Sequence, residues 1–285
     1  MARQFEIIHT TRYTYSSPVT LAPHIVRLSP RPDYFLRMIY EETIVEPTPV
    51  GASRMLDEND NRVTQYWFKG QTEMLQIKSR LVVRMNEFNP FGILVNPPDA
   101  LRLPMRYRQA TLPALAPALT LEDENDAVRS YSEDLAVRAE SDTLVFLELV
   151  THTLHHEFLF EWRYTGPPRT AAETLELGSG SCRDLALLFM EICRYQGIAA
   201  RFVSGYTPLA NVVGDPELHA WCEAFVPGGG WIGFDPAQGR PLQGQHVPLA
   251  AAPRPADAAP VTGLFTGYPG SPPVATIEFS ERLVF

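Results

Sequence analysis

The chain has 285 residues, 45% of them hydrophobic, and a formal net charge of −9. That length supports one large domain or two modest ones with real cores, and the acidic balance argues against non-specific binding to nucleic acid or an anionic membrane. No apolar run approaches the ~20 residues that span a bilayer. The opening Met1-Ala2-Arg3-Gln4-Phe5-Glu6 enters an alternating pattern at once, so no secretory signal is expected. Cysteines are few and odd in number, Cys182, Cys193 and Cys222, with no Cys-x-x-Cys zinc spacing. They fit reduced thiols in a cytoplasm, which sets the expected location.

In chain order, the first hundred residues read as β-structure. Phe5 to Tyr15 is rich in β-branched and aromatic residues, and Ile39 to Val45, Val63 to Phe68 and Gln76 to Met85 repeat the theme. Asp57 to Asn61 is a turn cluster. The stretch from Asn89 to Pro117 is interrupted by prolines and reads as a linker. Helices follow. Thr120 with Asp123 resembles a capping box before a helix carrying Val128, Tyr131 and Leu135. A second helix runs from about Asp142 to Glu157. Phe158 to Tyr164 alternates as a short strand, and Thr170 to Leu177 is a short helix stopped by Gly178. A third long helix carries Leu185, Leu188, Phe189, Ile192 and Cys193 at three- and four-residue spacing and ends near Gly197. Ala199 to Gly205, His219 to Val226 and Trp231 to Phe234 are strands. The Pro/Ala-rich stretch after Pro236 leads to a late strand at Val274 to Phe279. Ile277 and Phe279 need burial, so this tail is expected to fold back on the body.

Three short segments stand out: Gly178-Ser179-Gly180-Ser181-Cys182-Arg183-Asp184, His219-Ala220-Trp221, and Trp231-Ile232-Gly233-Phe234-Asp235-Pro236. The small-residue loop places Cys182 in the first turn of an apolar helix, where free N–H groups and the macrodipole favour a thiolate. Ser181 is the expected N-cap, and Arg183 and Asp184 are expected to pair structurally. The Cys182 N–H is a candidate oxyanion donor. Strand parity puts His219 and Trp221 on one face, and Trp231, Gly233 and Asp235 on one face of the next strand. If these strands are adjacent and antiparallel, Asp235 can orient the His219 ring while its other nitrogen meets sulfur. Cys182 is thus the candidate nucleophile, His219 its base and Asp235 the orienting group. Trp221 and Trp231 are expected to shield the site.

These segments, together with Arg201-Phe202-Val203-Ser204-Gly205-Tyr206 and the His219-Ala220-Trp221-Cys222-Glu223 run, resemble the bacterial transglutaminase-like family. His9-Thr10-Thr11-Arg12-Tyr13 and the turn near Asp60 are similar to the β domain that precedes the core in that family. The resemblance covers nearly the whole chain. It implies an α+β fold in two parts: a β-rich, sandwich-like N-terminal domain over residues 1–110, and a papain-like, transglutaminase-like core over 118–285 that includes the C-terminal tail. In that core the helix bearing the cysteine packs on an antiparallel sheet. By the family's pattern Cys182 is the nucleophile, His219 the general base and acid, and Asp235 the third member. Ala237 stands where the family usually has Thr, and Cys222 where it usually has an aliphatic or small residue.

The implied activity is that of a cysteine acyltransferase or a cysteine protease or amidase. It would act on amides of a peptide or protein substrate through a thioester, with an amine or water as acceptor and with no cofactor. Calcium, used by tissue-type members of the superfamily, has no carboxylate-rich loop to bind it here. The alternative is a non-catalytic binding or scaffold module that keeps the fold. A metal site on His152 and His156, four apart on a helix, is a third reading that lacks an obvious third ligand. Cys193, Cys222, His9 and His24 read as structural. Trp162 and Tyr164 read as core aromatics of a strand rather than as a groove lining.

Overall fold

The computed structural model describes residues 2–163, 166–208 and 218–284. Its first strand, β1 (Ala2–Val26), organises the N-terminal part. Along it Phe5, Ile7, His9 and Thr11 are buried in strict alternation, the period-two pattern of a sheet with one covered face. The next strands are β2 (Leu36–Glu46), β3 (Gly51–Leu56), β4 (Arg62–Trp67) and β5 (Thr72–Asn86). The first half of β1 pairs antiparallel with β5, which pairs with β2. Its second half pairs with β4, which pairs with β3. Phe5, Ile7, Leu75, Ile77, Leu81 and Val83 fill the covered face, each burial contributing roughly 1.5–3 kcal/mol.

The proline-rich stretch expected as a linker is ordered and tied to the core. It holds a 3-10 turn at Pro98–Leu101 and a helix, α1 (Leu112–Leu119). The Tyr107 hydroxyl donates to the Phe225 carbonyl (2.8 Å) and accepts from the Ala199 N–H (2.9 Å). Helix α1 escapes a pattern reading because prolines punctuate it. Pro113 in the first turn loses no bond, and Pro117 ends the helix within two residues.

Helix α2 (Asp126–Arg138) is capped by Asn125, whose side chain accepts from the N–H groups of Ala127 and Val128. Thr120 instead closes α1, which corrects the expected capping box at Thr120 and Asp123. The nearer Asx side chain takes the first free N–H groups, so the helix starts later. Helix α3 (Thr143–Glu157) is capped by Asp142. The short β6 (Leu159–Phe160) precedes α4 (Ala171–Leu177), which carries a Thr170–Glu173 capping box and ends on Gly178 in the left-handed region (φ 59°). Then β7 (Ser179–Gly180) pairs with β6 in parallel and leads straight into α5 (Cys182–Tyr195).

The second sheet follows: β8 (Ala200–Tyr206), β9 (Leu218–Val226), β10 (Gly230–Asp235), β11 (Arg240–Pro241) and β12 (Val247–Ala252). It is antiparallel in the order β11-β10-β9-β8-β12. Helix α5 lies against β8 and β9 on one side and against α2, α3 and α4 on the other. That sandwiching buries Asp184 through Arg194 almost continuously. This is an α+β fold with the helix bearing the cysteine on an antiparallel sheet.

The last strands, β13 (Val261–Thr266) and β14 (Ser271–Val284), return to the first sheet. Strand β14 pairs with the first half of β1 along most of its length, and β13 with the second half. Ile277 is buried and Phe279 packs on Phe5 (centroids 5.2 Å apart), as the tail's apolar residues led us to expect. The two sheets also meet directly. Tyr206, Val247 and Leu249 join the apolar cluster of the first sheet. Asn61, fully buried in the Asp57–Asn61 turn, exchanges side-chain hydrogen bonds with both backbone groups of Ala251 (2.9 and 2.8 Å).

Candidate active site

Cys182 is the first residue of α5 and is half-buried. Ser181 caps the helix, and its N–H and hydroxyl both donate to Asp184 Oδ2 (2.8 Å each). Arg163 reaches both Asp184 oxygens, and the Arg169 N–H donates to one of them (2.8 Å). Burial opposes ionisation of Asp184, but Arg163 and these donors outweigh it and hold the carboxyl below its ordinary range. Arg183 donates to the backbone carbonyls of Arg163 and Gly166. Both residues are therefore structural, as expected: they lash the segment before α4 to the start of the helix that carries the thiol.

Strands β9 and β10 are adjacent and antiparallel, with Phe234 opposite Cys222. In that register His219 and Asp235 stand diagonally on one face, two residues apart across the pair. His219 Nε2 meets Asp235 Oδ2 at 2.7 Å. With Nε2 engaged, Nδ1 is the nitrogen left for sulfur, and Cys182 lies close enough to help raise the pKa of the ring. The three residues singled out in the sequence are brought together.

Asp235 is fully buried, and Ala237 and Gln238 also donate backbone N–H bonds to its Oδ1 (3.0 and 3.2 Å). Burial would raise its pKa, but His219 and His246 more than offset this and the carboxyl is held well below its ordinary range. Burial likewise works against a charged His219. The Asp235 charge and hydrogen bond, aided by Cys182, outweigh it and lift the ring to about 10. An ionised carboxylate only accepts, so each ring nitrogen facing it must carry a proton.

Trp221 is fully buried and stacks on His219 (centroids 6.3 Å, 28° between planes). Trp231 does not shield the site: it lies at the other end of the strand face, against Phe225 and beneath the Arg201 guanidinium (4.1 Å). Trp162 is no core aromatic either. It is 40% exposed and meets the equally exposed Phe160 edge-on, where β6 ends after two residues. Tyr164 lies outside the described residues. Cys193 and Cys222 are fully buried, and burial pushes both thiols well up. Cys222 Sγ donates to the Phe234 carbonyl (3.2 Å).

His246 is the residue the sequence reading missed. It immediately precedes β12, is buried, and directs Nε2 at the same Asp235 Oδ2 at 2.8 Å. Its setting, Gly244-Gln245-His246-Val247-Pro248, carries no local pattern, and only the pairing of β12 beside β8 brings it to the site. His219, Asp235 and His246 are the one group among the described residues whose ligand atoms could jointly approach a metal, all within 4.8 Å. They suit an ion poorly, because both imidazoles spend their Nε2 protons on one oxygen at hydrogen-bonding distance. His152, His155 and His156 are exposed, with His156 stacked on His152 and meeting His155 edge-on, and join no three-ligand group among the described residues. No helix among the described residues is long and apolar enough to cross a membrane.

The comparisons with known proteins agree with this fold. Residues 5–84 match the bacterial transglutaminase-like N-terminal region, and residues 131–236 match the core of the transglutaminase-like superfamily. A crystal structure of a candidate cysteine protease from Cytophaga hutchinsonii has a similar fold. Its TM-score is 0.74 at 21% identity, over 99% of this chain and 91% of that one. Among curated sequences, an uncharacterized protein of Mycobacterium tuberculosis is 25% identical over 276 residues, 92% of this chain and 87% of the relative. One of Mycobacterium leprae is 25% identical over 273 residues, 93% of this chain and 94% of the relative. The chain belongs to the transglutaminase-like superfamily and carries that family's bacterial N-terminal region ahead of its core.

Proposed function

We propose that the protein is a thiol enzyme that opens amide bonds of a peptide or protein substrate, with Cys182 as nucleophile, His219 as base and acid, and Asp235 as the group that orients His219. The observation that carries this reading is the His219 ring. One nitrogen is fixed at 2.7 Å on a buried carboxylate, and the thiol at a helix start is near enough to act on the charge of the ring. That is the nucleophile–base–orienter constellation of covalent catalysis.

Cys182 gives its proton to His219, and the ion pair is favoured by Asp235 behind the ring and by the α5 N-terminus. The thiolate adds to the amide carbonyl, and the Cys182 N–H is placed to take up negative charge on oxygen. Collapse breaks the C–N bond, His219 delivers its proton to the departing amine, and a thioester remains. Water then gives the acid, or an amine gives a new amide, with His219 taking the proton of the incoming group.

Iodoacetamide labelling at pH 6 tests the activated thiol. One fast site is expected, lost in Cys182→Ala and slowed in His219→Ala. Slow, uniform labelling would instead favour a scaffold module. Incubation with a glutamine peptide and a labelled amine, beside assays for released ammonia and cut peptide, assigns the acceptor. No turnover in any of these, alongside slow labelling, overturns the proposal.

A further inference from the structure

Two imidazoles converge on one oxygen. Asp235 Oδ2 accepts from His219 Nε2 at 2.7 Å and from His246 Nε2 at 2.8 Å. The second imidazole is 3% exposed, and its Nδ1 has no hydrogen-bond partner among the described residues. A proton on that buried Nδ1 would leave a donor unsatisfied, whereas a bare nitrogen costs less. The ring is therefore neutral, with its one proton on Nε2 aimed at the carboxylate. The edge of the ring also meets Trp221 in a T-shaped contact (5.0 Å), and Trp221 in turn stacks on His219. His246 thus touches the base's partner and the base's packing surface but lies behind both.

We propose that His246 is a positioning residue of this site: its Nε2–H fixes the plane of the Asp235 carboxylate and shares the charge of Oδ2, so that His219 is held in place and its imidazolium gives up its proton more readily than it would facing the carboxylate alone. This rests on the thiol-enzyme reading given above. The physical basis is competition. Two donors on one acceptor oxygen each draw less of its negative charge than either would alone. A lone Oδ2–His219 contact would overstabilise the imidazolium, and an imidazolium that holds its proton too firmly is a poor acid toward a leaving amine. The titratable or charged groups around His246 are Asp235 on β10, His219 on β9 and Arg240 on β11. Burial is the largest influence on its own ring and keeps it below the ordinary histidine range despite Asp235.

The test follows the His219 ring by nitrogen-detected NMR across pH in the full chain, in wild type, His246→Leu and His246→Gln. The Leu variant removes the donor and is expected to raise the His219 titration by about one pH unit. The Gln variant presents an N–H near the same place and is expected to restore the wild-type titration. A folded His246→Leu whose His219 titration is unmoved or lowered overturns the proposal, because a merely structural role would leave it unmoved. Should the Leu variant not fold, the wild-type spectra still decide. A neutral His246 with its proton on Nε2 near pH 7 supports the role, and a proton on Nδ1 overturns it. The two readings fail separately. If Cys182 labelling in wild type is slow and indifferent to His219→Ala, the thiol-enzyme reading fails. If that labelling is fast and His219-dependent while the His246→Leu titration matches wild type, only the role of His246 fails.

Discussion

Arg163 holds the carboxylate of Asp184 through a single nitrogen, Nη1, at 2.6 and 2.7 Å from its two oxygens. The acid lies two residues past Cys182, in the first turn of the helix that presents the thiol. An unpaired carboxylate there would oppose a thiolate. Pairing it outward, to Arg163, Ser181 and the Arg169 N–H, turns it into the fastening of the loop. Asp184→Ala should therefore cost about 3–5 kcal/mol, since it strands a guanidinium and uncaps α5. Arg163→Ala should cost less, because the donors from Ser181 and Arg169 remain. Urea unfolding of the two variants against wild type measures the difference.

The three thiols should separate cleanly by burial. Cys182 is half-buried, while Cys193 and Cys222 are sealed and carry raised pKa values. A disulfide reagent at pH 7 should count one reactive thiol in the native protein and three in denaturant. Cys182→Ala should leave none in the native count.

His9 couples stability to pH. It is fully buried, bonded to the Tyr206 hydroxyl (2.7 Å) and the Thr11 hydroxyl (2.8 Å), and burial pushes its pKa down from 6.5 to about 4. The unfolded chain therefore takes up this proton first as pH falls. The His9 contribution is complete above pH 6.5 and is lost between 6.5 and 4, by on the order of 3 kcal/mol. His9→Gln should lower stability at pH 7 yet flatten its fall over that window. Denaturant midpoints at pH 4.5, 5.5 and 7 check the slope.

Gly205 stands opposite His219 across β8 and β9. A methyl group there would run into the Val247 carbonyl oxygen and the Trp221 ring. Gly205→Ala should cost about 1–3 kcal/mol through overpacking. Because Trp221 stacks on His219, it should also slow Cys182 labelling at pH 6. Normal labelling in a destabilised variant would separate the two effects and remove Trp221 from the account of the site.

Much of this protein is legible along the chain because much of it is local. Enrichment in β-branched and aromatic residues marked β1, β2, β4 and β5, and three- and four-residue spacing marked α3 and α5. The small-residue loop before Cys182 marked a helix start, and strand parity put His219 and Asp235 on one face. Each of these depends on residues within a few positions of one another, where backbone geometry alone decides direction. The errors also have local causes. Prolines hid α1, and the Ala/Pro composition hid β12, whose continuous burial comes from neighbours rather than from its own pattern. Tertiary pairing alone decided the rest. Strand β14 returns to flank β1, Asn61 clamps Ala251, and β12 lies beside β8, which carries His246 to Asp235. No local rule could place that second imidazole, because what selects it is a buried carboxylate oxygen with room for one more donor, and that room exists only once the sheet has closed.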